Sequence, residues 1–278
     1  MLRNLFILTD LEGVAGVTKF KQTREKGIEN EKAKELLTQE LNAVIDGIND
    51  LDDNIQIHIW DGHGSGGIIP EKLKPIETYI PHKSKKRFSM QDFFMENHIE
   101  ALAFVGQHAM AGTPNANLAH TMSSRTIEYY KLNEMEIGEF GLRAALAGEL
   151  GVPTIFISGD DKACNEAEDL IPNIVSAVVK NGTGLESAES LPFNEVYALL
   201  EKKIKISIKN MSKIEPYTIN TPVTLEKRYR KENTFSVRFK WFYQLLKIFN
   251  KKRAEYVDHR TIRWKADSVR ELENLKII

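Results

Sequence analysis

The stretch Leu-Phe-Ile-Leu-Thr-Asp-Leu-Glu-Gly at residues 5–13 decides the fold, because it reads as a buried strand that ends in two carboxylates. Four consecutive apolar residues are typical of a strand covered on both faces, as in parallel sheets. Asp10 and Glu12 follow directly, and residues two apart in an extended backbone point to the same side. Ligands of open parallel sheets bind beyond the carboxyl ends of the strands. The stretch therefore predicts an acidic binding site at one edge of a parallel sheet.

Metal-binding side chains also follow other apolar runs of the chain. The run at 55–60 is followed by Asp-Gly-His-Gly, which contains His63, and the run at 101–105 by Gly-Gln-His-Ala, which contains His108. Glu139 lies in Ile-Gly-Glu-Phe-Gly, where a helix is predicted to begin. Because parallel strand ends meet along one edge of a sheet, we expect these side chains and the two acidic ones to form one metal site.

The predicted ligand set suits two metal ions better than one. Carboxylate oxygens and imidazole nitrogens bind zinc at about 2.0–2.2 Å, and a tetrahedral zinc takes four ligands. A larger set fits two zinc ions that share a bridging carboxylate and lie about 3.5–4 Å apart, as in aminopeptidases and phosphatases. Three carboxylates and two zinc ions leave a residual positive charge. That charge would acidify a bound water and attract a carbonyl or carboxylate oxygen.

Each of these residues also has an ordinary interpretation. An Asp at a strand end commonly caps a turn, and a Glu at a helix start complements the helix dipole. Their joint occurrence favours a site, because convergent polar groups mark functional clefts. His120 lies in a segment with weak structural signals, and it could serve as an acid–base group or be a surface loop residue. Asp61 could orient His63 or a neighbour.

Strand and helix patterns alternate through the first two-thirds of the chain. The predicted elements are strands at 5–8, 55–60, 101–105 and 154–158, a hairpin at 126–136, and helices at 29–50, 139–149 and 161–169. This order predicts an α/β fold with a mostly parallel sheet flanked by helices.

The composition changes near Asn181, where Asn-Gly-Thr-Gly interrupts the pattern and the chain becomes basic. Residues 201–278 carry 20 Lys/Arg against 9 Asp/Glu, although the net charge of the whole chain is −1. We predict a metal-binding catalytic domain at 1–190 and a smaller C-terminal α+β domain at 191–278, used for oligomerisation or a substrate channel. The predicted C-terminal elements are a helix at 195–210, strands at 223–227 and 236–240, and a closing helix at 266–275.

The segment 226–253 interleaves basic and aromatic residues, and from residue 239 it also reads as an amphipathic helix, in conflict with the strand predicted at 236–240. Such a segment could bind nucleic acid or lie on an anionic membrane. A basic face that packs on the first domain or on a neighbouring subunit is favoured, because the segment contains no nucleic-acid-binding motif and the first 200 residues are acidic. We therefore expect neither nucleic acid nor a membrane as a partner.

Bulk properties indicate a cytoplasmic protein. The single cysteine, Cys164, cannot form an internal disulfide, which fits a reducing compartment. The apolar run at the amino terminus is too short for a signal peptide. No stretch approaches the roughly 20 apolar residues that cross a bilayer.

Six short motifs, in order along the chain, resemble the DppA-type D-aminopeptidases, a family of binuclear zinc metallopeptidases. They are Thr-Asp-Leu-Glu-Gly-Val-Ala-Gly at 9–16, Asp-Gly-His-Gly at 61–64, Gly-Gln-His-Ala at 106–109, Ala-His-Thr-Met at 119–122, Gly-Glu-Phe-Gly-Leu at 138–142 and Ser-Gly-Asp-Asp at 158–161. Their order and spacing hold from residue 5 to about residue 180, and little matches beyond residue 190.

The resemblance implies a role for each site residue and an assembly. The implied ligands of two zinc ions per subunit are a bridging Asp10, Glu12 and His63 on one ion, and His108 and Glu139 on the other. His120 would be the catalytic histidine, which is proposed as a nucleophile in the family. The family also implies a cytoplasmic, ring-forming homo-oligomer that releases amino-terminal D-residues from short peptides.

Three functions are compatible with these residues. The resemblance favours a zinc-dependent aminopeptidase that hydrolyses short peptides with D-amino-acid N-termini. The same metals could instead hydrolyse a phosphoester or a non-peptide amide, because a two-metal clamp does not select the bond by itself. A non-catalytic protein could bind a peptide or partner through its basic aromatic segment, with the metal in a structural role. The complete set of site residues argues against this third hypothesis.

Overall fold

The first predicted strand lies inside a seven-stranded sheet. The computed structural model of the protein describes residues 2–83, 88–231, 254–275 and 277–278. The sheet contains, in spatial order, Thr78–Ile80 (β3), Gln56–Asp61 (β2), Asn4–Thr9 (β1), Ala101–Gln107 (β4), Thr154–Asp160 (β7), Val175–Gly184 (β8) and Ser187–Ser190 (β9). All neighbouring strands run parallel except the antiparallel pair β8 and β9. The predicted mostly parallel sheet is therefore confirmed.

Helices flank this sheet, as its parallel connections require. The described helices are Phe20–Arg24 (α1), Ile28–Asn49 (α2), Met90–Glu96 (α3), Glu139–Glu149 (α4), Asp161–Leu170 (α5), Phe193–Asn210 (α6) and Val269–Asn274 (α7). Helices α2 and α6 pack against each other, and α4 packs against β4 and β7. None of these described helices combines the length and the apolar composition needed to cross a bilayer.

A second sheet has five antiparallel strands, of which two lie between β4 and β7 in the chain and three follow β9. Its strands, in spatial order, are Ala254–Tyr256 (β11), Thr261–Ala266 (β12), Val223–Tyr229 (β10), Ile127–Leu132 (β5) and Met135–Glu136 (β6). The hairpin predicted at 126–136 is confirmed as β5 and β6. Strands from both sides of residue 190 pair in this sheet, and the division into domains at 1–190 and 191–278 stays a prediction.

Two predicted element boundaries are wrong, and one prediction is not tested. The residues 181–184 do not interrupt the fold, because they continue β8 to its hairpin with β9. The closing helix does not begin at Ala266, which pairs with Val223 as the last residue of β12. The helix begins at Val269 after Ser268, whose hydroxyl accepts the amide N–H of Glu271 as an N-cap. The strand at 236–240 and the amphipathic helix from residue 239 lie outside the described residues.

The register of the main sheet brings three strand ends to one place. Thr9, the last residue of β1, pairs with Asp61 at the end of β2 and with Val105 near the end of β4. The side chains of Leu5, Phe6 and Ile7 are fully buried. Burial of each such side chain stabilises the fold by about 1.5–3 kcal/mol. This core therefore fixes the strand ends from which the candidate site extends.

Candidate metal centre

The loop after β1 carries two buried carboxylates to the edge of the sheet, since Asp10 and Glu12 are only 7% and 3% exposed. This loop touches the end of β4, where the Gly13 amide donates to the Gly106 carbonyl at 2.7 Å. A Cβ atom on Gly13 would lie 2.0 Å from the Gln107 carbonyl oxygen, and Gly106 has a φ of 77°. Both positions therefore require glycine, which lets the two ligand-bearing loops approach.

A fully buried lysine supports the same loop. The Nζ atom of Lys180, on β8, donates to the carbonyl oxygens of Glu12 and Val17, each at 2.5 Å, and to Asn117 Oδ1 at 2.9 Å. Burial lowers the pKa of Lys180 to about 8. The three contacts use all three ammonium protons, so Lys180 fixes the backbone that carries Glu12. Sequence reasoning missed this residue, and the apolar run before it was the only signal of its burial.

Glu40 of α2 holds the next part of the loop. Its Oε1 atom accepts the amide N–H of Ala15 at 2.8 Å. Burial raises the pKa of Glu40 to about 8. A buried carboxyl and a buried ammonium group thus fix the loop 10–17 from two sides.

His63, after β2, faces the first carboxylate pair. Its Nε2 atom lies 3.3 Å from Glu12 Oε1. Its Nδ1 atom lies 3.2 Å from Ser65 Oγ, and that hydroxyl donates to the Thr23 carbonyl at 3.1 Å. The hydroxyl therefore accepts Nδ1–H, which leaves Nε2 directed at the site. Burial alone would lower the pKa of His63, but the Glu12 carboxylate raises it to about 9. This position therefore favours a positive charge.

His108 and Glu139 meet at the second side of the site. The His108 Nδ1 atom donates to the Ala109 carbonyl at 2.9 Å, so Nε2 is the nitrogen that faces the carboxylates. It lies 3.2 Å from Asp10 Oδ2 and 3.5 Å from Glu139 Oε1. Burial alone would raise the pKa of Glu139, but the neighbouring His108 imidazole brings it down to about 2. His108 thus contacts both Asp10 of the first motif and Glu139 of the fifth.

The residues present fit a bound metal. Burial and the Glu12 carboxylate raise the pKa of Asp10 to about 7, so an added positive charge at this place would favour the ionised carboxylate. Within the described part of the chain, Glu12 Oε2 and His108 Nε2 are buried and have no hydrogen-bond partner. Carboxylate oxygens and imidazole nitrogens are zinc ligands, so a cation at this place would satisfy both the charge and the orphaned atoms.

The potential ligand atoms form two groups. Within each group, all of these atoms lie within 4.8 Å of one another. The groups are Asp10, Glu12 and His63, and His108, His120 and Glu139. We call them the first and second triplets. The 3.2 Å contact between Asp10 and His108 joins the two triplets. All six predicted site residues are therefore brought together at one edge of the main sheet.

His120 is 9% exposed, so the alternative of a surface loop histidine is wrong. Its Nδ1 atom donates to the Leu118 carbonyl at 2.9 Å, and its Nε2 atom lies 3.8 Å from Glu139 Oε1. Its ring stacks on His108 with centroids 3.9 Å apart and planes 13° apart. Burial and the neighbouring His108 lower the pKa of His120, so its neutral form is favoured.

Two further carboxylates shape the loops around the triplets. Asp61 accepts the amide N–H groups of Gly67 at 3.0 Å and Ile68 at 3.3 Å, and so folds the loop that contains His63. Sequence reasoning missed Glu166 of α5, whose Oε2 atom accepts the amide N–H of Met110 at 2.9 Å, two residues after His108.

All triplet residues except His108 line a cleft of about 460 Å³. Other residues that line the cleft are Thr23, Arg24, Trp60, Gly62, Gly64, Ser65, Met122, Ser123, Ser124, Arg125 and Arg143. This volume is in the range of small-molecule sites in proteins, about 300–1,000 Å³. The cleft is therefore large enough for a short peptide.

The sequence profile of the peptidase M55 family, described as D-aminopeptidase, matches residues 4–276. The chain belongs to the D-aminopeptidase family. A D-aminopeptidase of Bacillus subtilis (strain 168) is 30% identical over 216 residues, which is 77% of this chain and 77% of that protein. The family match extends well beyond residue 190, where the short motifs end. The predicted family and the predicted class of peptidase are thus confirmed.

One solved structure has the same fold as this chain. It is the Zn-dependent D-aminopeptidase DppA from Bacillus subtilis, described as a self-compartmentalizing protease. The two structures agree with a TM-score of 0.84 at 24% identity, over 99% of this chain and 95% of that chain. The shared fold covers both sheets.

Proposed function

We propose that this chain is a zinc-dependent aminopeptidase that removes N-terminal D-residues from short peptides at a two-metal site. The observation that carries the proposal is the pair of buried ligand triplets joined through Asp10, in a chain of the D-aminopeptidase family. The zinc dependence of the structural neighbour supports the choice of metal.

Two zinc ions per subunit are supported by the number and charge of the ligands. We assign Glu12 and His63 to one ion, His108 and Glu139 to the other, and Asp10 to both, because Asp10 belongs to the first triplet and contacts the second. When bound, the ions would polarise the scissile carbonyl and lower the pKa of a water. The Nδ1–H hydrogen bonds of His63 and His108 would hold their Nε2 atoms toward the ions.

We assign His120 as the catalytic acid–base group or nucleophile. His120 lines the cleft, and its lowered pKa leaves it neutral and able to accept a proton near neutral pH. A positioned acid–base group typically accelerates a reaction by about 10²–10⁴-fold. His120 also belongs to the second triplet, so a role as a metal ligand is the alternative for this residue.

We further propose a homo-oligomer whose subunits form a ring. The description of the structural neighbour as self-compartmentalizing supports this, and so does the charge contrast between the basic residues 201–278 and the acidic remainder. The region 191–278 would then supply subunit contacts or part of a substrate channel. A cytoplasmic location stays a proposal that is supported by the single buried cysteine, Cys164.

The test is hydrolysis of D-alanyl peptides by the purified protein before and after complete removal of metal. We expect chelation to abolish release of D-alanine and zinc to restore it. Equal activity after verified metal removal would refute the proposal. A panel with phosphodiesters at saturating zinc tests the rival reaction, and phosphodiester turnover faster than peptide turnover would favour that rival.

A further inference from the structure

The cleft combines the proposed metal ligands with an excess of arginine. Every carboxylate among the described residues that line it, namely Asp10, Glu12 and Glu139, belongs to the ligand triplets. The rest of the lining includes Arg24, Arg125 and Arg143. Once two divalent cations neutralise the carboxylates, the cleft as a whole is positive. Such a cleft attracts an anionic group, because fields of one sign are focused in a concave site.

The Arg24 side chain is held in place without a carboxylate partner. Its guanidinium carbon lies 3.4 Å above the centre of the Phe20 ring, and its Nη2 atom donates to the Ser124 hydroxyl. Across the described ranges of the chain, no carboxylate oxygen lies within 4.0 Å of Arg24 or Arg125. Burial and the positive charge of Arg125 lower the pKa of Arg24, so an anion between the two would relieve their repulsion.

Phe20 places this guanidinium near the catalytic histidine. The centre of the Phe20 ring lies 6.2 Å from that of the His120 ring and 3.4 Å from the Arg24 guanidinium carbon. The guanidinium is therefore within roughly 10 Å of His120, and one extended residue spans about 3.3–3.6 Å. A substrate with its first peptide bond at the metals would reach Arg24 with a group one to three residues further on.

We propose that Arg24 and Arg125 bind the C-terminal carboxylate of the substrate, so that the enzyme selects dipeptides and tripeptides with a free C-terminus. This rests on the proposed aminopeptidase function, which places the first peptide bond at the metals. The planar fork of a guanidinium matches a carboxylate with two parallel hydrogen bonds, whereas a C-terminal amide is uncharged and matches it poorly.

The binding test uses the zinc-loaded His120→Gln variant, in which turnover is expected to be lost, and titration calorimetry with D-Ala-D-Ala and its C-terminal amide. We expect the acid to bind about 10–100-fold more tightly than the amide, as charge-assisted hydrogen bonds of this kind provide. Arg24→Gln and Arg125→Gln should each bring this ratio toward one, and Arg24→Lys should retain part of it. Equal binding of acid and amide with both arginines present would overturn the inference. A ratio that neither glutamine variant changes would also overturn it.

Kinetics of the wild-type enzyme separate this inference from the proposed function. Hydrolysis of D-Ala-D-Ala and of its amide with the same KM would overturn the carboxylate site and leave the aminopeptidase proposal standing. If no D-peptide is hydrolysed but the acid still binds more tightly, the carboxylate site stands and the proposed function fails. Arg3→Gln is the matched control, since Arg3 is exposed at the opposite end of β1, and its KM values should match those of the wild type.

Discussion

Replacement of Lys180 by methionine tests whether the buried ammonium group positions the metal-binding loop. Methionine keeps much of the length of the apolar stem but removes the donor to the Glu12 and Val17 carbonyls and to Asn117. Leaving a buried acceptor unsatisfied costs about 1–3 kcal/mol, and three oxygens lose their donor, so the fold should lose at least about 3 kcal/mol. A change of 1 kcal/mol shifts Tm by about 2–4 °C in domains of 150–250 residues, so we expect Tm to fall by roughly 10 °C.

The zinc affinity of Lys180→Met separates positioning from simple electrostatics. Removal of a positive charge beside a cation site should strengthen zinc binding, because the repulsion between Lys180 and the metals disappears. Displacement of Glu12 should weaken binding instead. The contacts of Lys180 predict that displacement dominates and that zinc affinity falls about tenfold or more, as is typical when groups that orient metal ligands are lost.

The assay is thermal unfolding together with competition for zinc against a chromophoric chelator. Lys205→Met is the control, because Lys205 forms surface ion pairs with Asp50 and Glu201 at 3.0 and 2.8 Å and should change neither quantity measurably. A Lys180→Met protein that melts like the wild type and binds zinc as tightly would refute the positioning role.

Three further substitutions test other parts of the account. His120→Ala should lower kcat by about 10²–10⁴-fold while two zinc ions per chain remain, and loss of one ion would make His120 a ligand instead. Gly13→Ala should reduce zinc content and activity, because the added Cβ would lie 2.0 Å from the Gln107 carbonyl oxygen; a variant with full zinc content would contradict this close approach. The folded-state pKa of Glu40, about 8, exceeds its ordinary value of 4.5, so its contribution to stability is present below 4.5 and is lost as the pH rises through 8. Relative to the wild type, Glu40→Gln should therefore be more stable at pH 8 than at pH 5 in urea denaturation, and a difference independent of pH would contradict the raised pKa.

The sequence predicted those elements and site residues whose positions follow from local apolar patterns and from the parallel pairing of strands. The apolar run at 5–8 and the acidic pair after it predicted β1 and the loop that follows. Helix α4 begins at Glu139 and ends at Glu149, as its spacing and the Gly and Pro after it predicted. The convergence of Asp10 and His108 follows from the parallel pairing of β1 with β4, which the alternating element order had indicated.

Supporting residues could not be predicted, because their roles come from contacts between distant parts of the chain. Lys180 is separated from the Glu12 carbonyl it contacts by 168 positions, and only the apolar run before it distinguishes it locally from a surface lysine. Arg24 lies on α1, a five-residue helix too short to give a periodic apolar pattern. The strand end at 181–184 was misread as an interruption, because Gly and Asn are typical of loops but here lead into a hairpin.

Anomalous scattering at the zinc edge, from crystals of the protein purified with zinc, tests most directly whether distant segments hold a pair of cations. We expect two peaks in each chain, about 3.5–4 Å apart, as in other two-metal hydrolases. One peak should lie within about 2.0–2.2 Å of Glu12 and His63, the other within the same distance of His108 and Glu139, and both near Asp10. A single peak, or two peaks away from these side chains, would contradict the two-metal centre.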